Sequence, residues 1–261
     1  MEGQRRRRIS IVGAGNVATN IAPALDRVAD VVQVYSRDIS RAREVASMLK
    51  SATVTDSLNE VNTDVDAVII AVSDDAVAEV AASLSKSRAV VAHTSGSVPA
   101  DAIPGPRNGV FYALQTFSKG KPVDFDEIPF FIEAADAQSH KLLHELASAL
   151  SSKVYDADSR HRAALHVAAV FACNFVNCLW ADADSLLRPY GYDITVFGPL
   201  LRETLDKALK IGPFAAQTGP AMRRDSNVIA SHKEKLNSEL EEIYDLMTRR
   251  IISTHFPEDK V

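Results

Sequence analysis

The feature that most constrains the fold is a short apolar run that ends in a glycine-rich turn and then becomes helical. Residues 9–12 are β-like, and Gly13-Ala14-Gly15-Asn16-Val17-Ala18 follows them. The segment matches G-x-G-x-x-G/A, and the strand before it and the helix after it make the match meaningful. Gly13 allows the tight turn, Gly15 the close approach of a pyrophosphate, and Ala18 close packing of helix on sheet. Phosphates would meet the free N–H groups of the helix N-terminus. The predicted dinucleotide contacts at this turn are Gly13, Gly15, Asn16 and Val17.

The rest of the first half alternates between strand and helix patterns. Strands are predicted at residues 31–35, 52–55, 65–72, 89–92 and 130–133, with helices at residues 41–50 and 74–84. This alternation predicts a doubly wound parallel (Rossmann) α/β sheet that binds its ligand at the carboxyl ends of the strands. Pro23 lies inside the first helix, where proline costs about 3 kcal/mol or forces a kink. After about Tyr155 the pattern is helical. We therefore predict a Rossmann domain at residues 1–155 and an all-α domain at residues 156–261.

The end of the second predicted strand distinguishes between dinucleotides. An NAD site calls for Asp or Glu there, to bind the ribose 2′-hydroxyl. This chain has Tyr35-Ser36-Arg37, with Arg41 one helical turn later. A hydroxyl and two guanidinium groups suit a 2′-phosphate, which favours NADP over NAD. The alternative is that Arg37 and Arg41 are solvated surface charges. The other predicted cofactor contacts follow later strands: Val72, Ser73 and Ser95.

Two polar clusters are predicted at the carboxyl edge of the sheet. His93-Thr94-Ser95-Gly96-Ser97 follows the fifth strand, and Gln115-Thr116-Phe117-Ser118 follows another apolar stretch. Turn chemistry alone explains the serines and the glycine. His93 is a candidate catalytic residue, with a satisfied structural histidine as the equal alternative. Gln115 is a candidate substrate contact.

The apolar helix Leu165 to Asn177 carries polar side chains that burial would penalise unless they found partners. At 100° per residue, Asn177 projects about 20° from His166, and Asn174 about 80°. The three would line one arc, as candidate catalytic residues (His166, Asn174) and a substrate contact (Asn177). The alternative is an all-α core with internal partners. These polar groups also argue against a membrane span.

The segment Thr218-Gly219-Pro220-Ala221-Met222-Arg223-Arg224-Asp225 ends in a predicted helix cap. Asp225 would cap the helix that carries His232. Capping does not account for Arg223, which is either a surface charge or a clamp for an anionic substrate. Thr218 and Arg223 are thus further candidate substrate contacts.

Charge and cysteine content narrow the class of protein. A net charge of −5 argues against nucleic-acid and anionic-membrane partners. The run Arg5-Arg6-Arg7-Arg8 is interpreted as a solvated leader. Cys173 and Cys178 lie about 140° apart on one helix, which suits neither a metal site nor a disulfide. We expect reduced, packed thiols, no metal and a cytoplasmic location.

Taken together, GAGNVATN, VVQVYSRD, HTSGS, FYALQTFS, DFDEIPFFIEA, VYDADS, LHVAAVFACNFVN and TGPAMRRD resemble a family of bacterial NADP oxidoreductases. These have a Rossmann-like N-terminal domain and a helical C-terminal domain of unknown function. More distantly the chain resembles 6-phosphogluconate and β-hydroxyacid dehydrogenases, ketopantoate reductase, prephenate dehydrogenase and pyrroline-5-carboxylate reductase. The β-hydroxyacid enzymes place a catalytic lysine four residues before an asparagine. Here those positions hold Val170 and Cys173.

The resemblance implies NADPH-dependent hydride transfer and a homodimer formed through the helical domain. With the lysine absent, His166 is the nearest candidate acid, and imine reduction stays open. Asn174 would orient the substrate or the nicotinamide, and Arg223 would hold an anionic group. The predicted substrate is a small, anionic carbonyl or imine compound. The alternative function is a dinucleotide-binding sensor or scaffold that turns nothing over.

Overall fold

The protein was analysed as a computed structural model, which describes residues 5–257. Residues up to Val170 form one compact unit, and residues from Phe171 onward form a second. The predicted division into domains 1–155 and 156–261 stays a prediction.

The first unit is built on one eight-stranded sheet with the order β3-β2-β1-β4-β5-β6-β7-β8. Only β7 runs antiparallel to a neighbour, pairing with β6, whereas the other paired strands are parallel. The predicted fold class is confirmed, although β6 and β8 were not predicted as strands. The strands are β1 (Arg8–Val12), β2 (Asp30–Tyr35), β3 (Thr53–Thr55), β4 (Ala67–Ile70), β5 (Val90–His93), β6 (Asn108–Ala113), β7 (Phe130–Ala134) and β8 (Val154–Asp156).

Helices cover both faces of this sheet. Alternate residues of β4 point to opposite faces, so Ile69 joins the core under α1, α2 and α4, while Ile70 joins the core under α3. This explains the uninterrupted apolar run seen in the sequence, because neither face of β4 meets solvent. The helices of the unit are α1 (Asn16–Val28), α2 (Ile39–Ala46), α3 (Asp74–Ser83), α4 (Ala137–Ser148) and α5 (Ser159–Ala169).

Pro23 neither ends nor resets the first helix. The chain stays helical from Asn16 to Val28 with the proline inside it. The missing N–H removes one hydrogen bond, to the carbonyl of Thr19. The helix tolerates that loss while it packs Ile21, Ala22 and Leu25 into the core.

The N-terminal arginines have exposed side chains, as expected of a solvated segment, but hydrogen bonds and ion pairs also tie them to the first unit. Arg6 Nε lies 2.7 Å from Asp30 Oδ1, and Arg6 Nη2 donates to the carbonyl of Ala29 at 2.6 Å. The backbone N–H of Arg8 donates to Asp66 Oδ2 at 2.8 Å. Arg6 therefore lies at the C-terminus of α1, where the helix dipole favours positive charge.

The second unit is helical throughout its described residues, as predicted, but it has almost no core. Ala221 is its only buried residue among those described. Cys173 and Cys178 are free but exposed, not packed as the sequence analysis expected. The elements are a π-helical segment (Val170–Phe175), α6 (Val176–Leu187), α7 (Gly198–Ile211), α8 (Pro213–Ala216), α9 (Pro220–Arg223), α10 (Ser226–Lys233) and α11 (Ser238–His255).

One helical stretch meets the length and composition expected of a membrane span. Residues Ser159–Tyr190 contain an 18-residue window of mean hydropathy 1.6, none of which is buried within the chain. Core helices of soluble proteins pass the same test. The stretch also includes Arg162, Asp182 and Asp184, whose charges would be costly in a bilayer. The predicted lack of a membrane partner stays a prediction.

Arg162 on α5 is a fully buried cation that the sequence analysis missed. Its Nη1 pairs with Glu133 Oε2, and its Nη2 donates to the carbonyl of Val98 at 2.5 Å. Ser159 Oγ donates to the same carboxylate at 2.9 Å. Arg162 thus ties the start of α5 to β7 and to the loop after β5.

Replacing Arg162 should destabilise the first unit strongly. Arg162→Met keeps an apolar stem, but it removes the cation beside Glu133, which keeps only the Ser159 hydroxyl, and the donor to the Val98 carbonyl. We expect the free energy of unfolding to fall by about 3 kcal/mol, measured by denaturant titration. Arg160→Met changes an exposed arginine of the same helix and should shift it by less than about 0.5 kcal/mol. Equal losses in the two variants would contradict the role given to Arg162.

Candidate functional site

The turn between β1 and α1 opens onto a cleft of about 360 Å³ at the carboxyl ends of the first strands. The cleft joins nearly all of the predicted cofactor contacts. Further lining residues that were not predicted come from the segment before β4 and from α3, including Leu58, Ala76, Glu79 and Val80. The predicted contacts that line it are Gly13, Gly15, Asn16, Val17, Ser36, Arg37, Arg41, Val72 and Ser73.

The two glycines of the motif act differently. Gly13 has φ +125°, and a Cβ there would lie 2.1 Å from the carbonyl oxygen of Ala71. Gly13 is therefore demanded by the fold itself. A Cβ at Gly15 would meet no atom within 4 Å. Gly15 instead leaves open space in front of the α1 N-terminus, where a phosphate can approach the backbone N–H groups.

The end of β2 presents positive charge to the cleft. Arg37 and Arg41 are exposed and line it together with Ser36. The nearest acid, Asp38, is the N-cap of α2 and accepts from Ser40 N at 2.9 Å. Hydrogen bonds from Ser40 lower the pKa of Asp38, with a smaller contribution from Arg41. The carboxylate of Asp38 is therefore hydrogen-bonded to the start of α2. At the end of β2 the cleft has guanidinium groups in the place where an NAD site would have an acidic side chain.

His93 has both ring nitrogens occupied by backbone groups. Nδ1 accepts from Ser95 N at 3.2 Å, which leaves Nε2 as the donor to the carbonyl of Pro99 at 3.3 Å. The residue is fully buried, and burial, followed by the charge of Arg162, lowers its pKa to about 4. Of the two alternatives left open by the sequence, this geometry favours the satisfied structural histidine.

Ser95 is also engaged within its own loop. Its hydroxyl accepts from Ser97 N at 3.1 Å and from Val98 N at 3.0 Å. The hydroxyl of Ser97 in turn donates to Asp74 at the start of α3. Ser95 is not among the residues that line the cleft described above. The loop that carries it is instead held rigidly at the carboxyl end of β5.

His166 on α5 lies against this loop, and only one of its two ring nitrogens is hydrogen-bonded to a described residue. Nδ1 is 3.3 Å from the hydroxyl of Tyr112, and Nε2 has no hydrogen-bond partner among the described residues. His166 is partly exposed, whereas Tyr112 is buried at the end of β6. Both rings close over Gly96, whose missing side chain leaves them room. The sequence analysis missed Tyr112 because β6 was not recognised as a strand.

Gln115 is exposed just beyond β6. Its side-chain oxygen accepts from Thr116 N at 2.8 Å. Because β6 runs parallel to β5, Gln115 follows the same edge of the sheet as the loop after His93. The placement agrees with the edge position expected from the sequence.

The candidate residues of the second unit are all exposed: Asn174, Asn177, Thr218 and Arg223. Asn174 lies in the π-helical segment, whose turn is wider than that of an α-helix. The predicted arc with His166 assumed 100° per residue throughout, so that projection is wrong across this segment. Asp225 caps α10, as predicted, accepting from Val228 N at 3.2 Å.

Burial of a neutral His93 makes stability depend on pH. The folded chain holds its pKa at about 4, below the unfolded value of about 6.5, so the unfolded state takes up a proton first as pH falls. The stabilisation from neutral His93 is full above about pH 6.5 and is lost toward pH 4, by up to about 3 kcal/mol. The measurement is the free energy of unfolding between about pH 7.5 and 4.5.

His93→Asn, which cannot take up the proton, should show a flatter dependence than the natural chain. His144→Asn, at a partly exposed histidine of the same unit, should keep the natural slope. Parallel curves for the natural chain and His93→Asn would mean that His93 is not held neutral.

Comparisons with known proteins identify the family of each part of the chain. Residues 8–96 match a family model described as NADP oxidoreductase, coenzyme F420-dependent, and residues 128–251 match a domain of unknown function. No functionally curated protein gives a significant match.

Solved structures resemble the chain over nearly its whole length. A Bacteroides fragilis protein named a "putative NADP oxidoreductase" is 44% identical, with 94% of this chain and 98% of that chain covered and a TM-score of 0.88. A Thermotoga maritima protein is 21% identical, with 97% and 100% covered and a TM-score of 0.74. A reductive aminase from Aspergillus terreus, in complex with NADPH and ethyl-5-oxohexanoate, shares the fold at 14% identity, with 95% and 94% covered and a TM-score of 0.68.

The residues of the cleft fit NADP, since open space at a helix N-terminus suits a pyrophosphate and two exposed arginines suit a 2′-phosphate. On this fit and on the extent of the 44% match, the chain belongs to the family of NADP oxidoreductases that includes the Bacteroides fragilis protein.

Proposed function

We propose that this NADP oxidoreductase transfers hydride between the nicotinamide and a small, anionic carbonyl or imine compound. The observation that carries the proposal is the single cleft that combines the Gly13–Gly15 turn with Ser36, Arg37 and Arg41. NADPH, when bound, supplies the hydride. The chain's own residues bind the cofactor, orient the substrate and hold a proton for it.

Cofactor binding is assigned to the first unit. The N–H groups at the start of α1 would bind the pyrophosphate in the space left by Gly15. Arg37 and Arg41 would bind the 2′-phosphate, with Ser36 as an additional hydrogen-bond donor. Val72 and Ser73, which follow β4, would border the cofactor further along the sheet edge.

His166 is the proposed proton-holding group. Its Nε2 is without a partner among the described residues, so it is available to the oxygen or nitrogen of a substrate. His93 has no part in proton transfer in this proposal, because both of its nitrogens are engaged. It acts instead as a rigid support for the loop after β5.

Substrate contacts are proposed for exposed polar side chains. Arg223 would hold an anionic group, and Asn174 would orient the substrate or the nicotinamide amide. A keto ester is present in the reductive aminase complex, which supports a carbonyl or imine as the reacting group. Val170 and Cys173 stand where β-hydroxyacid dehydrogenases would have their lysine, which supports reaction types that do not need it. The remaining proposed contacts are Gln115, Asn177 and Thr218.

Cofactor selectivity tests the binding half of the proposal. NADPH should bind in the micromolar range, with NADH at least about tenfold weaker, or about 1.4 kcal/mol, in parallel calorimetric titrations. Arg37→Ala should weaken NADPH by about tenfold and leave NADH unchanged, because only NADPH carries the 2′-phosphate. Arg43→Ala alters an exposed arginine of α2 that does not line the cleft and is the matched control. Equal affinities for the two dinucleotides would contradict the assignment of Arg37.

A non-catalytic NADP(H) sensor or scaffold is the second candidate. The absent lysine and the engaged His93 favour it, since they leave one candidate acid in the first unit. The two functions are separated by mixing the NADPH-loaded protein with oxo acids, ketone–amine mixtures and cyclic imines. Catalytic oxidation of NADPH by any of these compounds would eliminate the sensor.

We further propose that the helical unit forms a homodimer. Its described residues expose many large apolar side chains, among them Leu209 and Tyr190 at 77% and Phe171 at 65%. So much exposed apolar surface is expected to be buried at an interface, and a second copy of the chain offers a self-complementary surface for this. A bilayer is a poorer cover for the long helix, since Arg162 at its start is already buried against Glu133. The cytoplasmic location of the protein is likewise a proposal.

The homodimer is tested by the mass of the purified protein in solution. Sedimentation or light scattering should give about twice the chain mass of 28.3 kDa. Leu209→Glu should shift the mass toward the monomer, because a charge replaces an apolar contact. Met48→Glu, at an exposed methionine of the first unit, should not. A monomeric natural chain, or one extracted only with detergent, would contradict the homodimer.

A further inference from the structure

The loop after β5 brings three residues into one tight contact. A Cβ on Gly96 would lie 2.7 Å from His166 Nδ1 and 2.9 Å from the Tyr112 hydroxyl. Contacts this short are not tolerated, so any other residue at position 96 would push the two rings aside. Gly96 is thus what allows the phenol and the imidazole to meet at 3.3 Å.

The direction of this hydrogen bond follows from the burial of Tyr112. Tyr112 as a whole residue is 8% exposed, and among the described residues its hydroxyl has His166 Nδ1 as its single hydrogen-bond partner. If Nδ1 carried the proton and donated, the O–H of Tyr112 would be left buried without an acceptor, which is costly. The favourable arrangement has Tyr112 donating to Nδ1, and a neutral imidazole then carries its proton on Nε2.

The surroundings of Tyr112 keep it a donor. Burial raises the pKa of its hydroxyl above the usual value of 10, an effect opposed by Arg162 and aided by Asp74. The phenol therefore stays protonated at neutral pH. Its ring packs 6.3 Å from Phe131, and the ring of His166 meets it edge-on at 6.4 Å, so both planes are constrained.

We propose that Tyr112 is a positioning residue that sets the tautomer and orientation of His166, so that Nε2–H is the hydrogen-bond donor presented to the substrate. This inference rests on the proposed reduction, and it adds the group through which His166 is oriented. Negative charge develops on the substrate oxygen or nitrogen as hydride arrives, and a pre-oriented donor stabilises it without reorganising. Gly96 provides the room for this arrangement, and Arg162 holds the loop that carries Gly96.

The tautomer can be read without turnover, by ¹⁵N NMR of the full chain labelled at histidine. At about pH 8, above the ordinary imidazole pKa, His166 should show one tautomer with the proton on Nε2. His166→Gln identifies the signals by their loss. Tyr112→Phe should change them to a mixture of tautomers, and Gly96→Ala should do the same while keeping both groups. Tyr155→Phe makes the same chemical change on another tyrosine that stacks on Phe131 and should leave them unchanged.

A double-mutant cycle in the reductase assay tests whether the effect passes through His166. Tyr112→Phe should lower kcat about tenfold, with KM and the NADPH dissociation constant within about twofold. In the His166→Gln background, itself about a hundredfold slower, Tyr112→Phe should have no further effect. A merely structural role for Tyr112 would give additive losses in the two backgrounds.

An unchanged His166 tautomer in Tyr112→Phe, or additive losses in kcat, would overturn the inference. Failure of the proposed function is distinguishable from these two results, because in that case the natural chain itself would reduce no compound. If the natural chain bound NADPH but reduced no compound, both the reductase proposal and the presentation of Nε2–H to a substrate would be wrong. The NMR result would then support or overturn the Tyr112–His166 coupling independently.

Discussion

The close approach of Gly13 to the carbonyl of Ala71 is the contact on which the rest of the cleft at the β1–α1 turn depends. With φ +125° and no side chain, Gly13 lets the β1–α1 turn pass directly over the end of β4. The N–H of Gly13 donates to the carbonyl of Tyr35 at 2.8 Å, so the same residue also ties the turn to the end of β2. One glycine thereby brings a helix N-terminus, the Ser36–Arg37 corner and the β4 end around one cavity. A larger residue would separate them.

The two histidines near the sheet edge show how burial decides chemistry. His93 is fully buried, and backbone groups occupy both of its nitrogens. It is therefore kept neutral and has a structural role. His166 is partly exposed, and a single phenol engages one nitrogen. The residues are of one type and lie close to the same loop. Their difference arises from the number of partners that the fold supplies, which decides whether a proton is free to interact with a ligand.

The two units differ in how they bury apolar surface. The sheet of the first unit is covered on both faces by α1 to α4, and its strands are largely inaccessible. Among the described residues of the second unit, Ala221 alone is buried, although the unit is rich in leucine, phenylalanine and tyrosine. Helices with apolar faces and no internal core need a surface to pack on. This is the physical basis for proposing that a homodimer forms through the helical half of the chain.

Much of the fold and cleft could be predicted from the sequence, because those features depend on local patterns. Each of these signals lies within a few consecutive residues: the glycine motif, the uninterrupted apolar run of β4, the Ser36–Arg37 corner and the cap at Asp225. β6 and β8 were missed, since one follows a turn-rich segment and the other has three residues. The arc through Asn174 failed because a π-helical segment interrupts the α-helical period. The sequence by itself therefore determined the fold class, the glycine motif and the positive charge that follows β2. Only the tertiary structure decided that His93 is sealed, that Arg162 is buried against Glu133 and that Tyr112 meets His166 over Gly96, because these contacts join residues far apart in the chain.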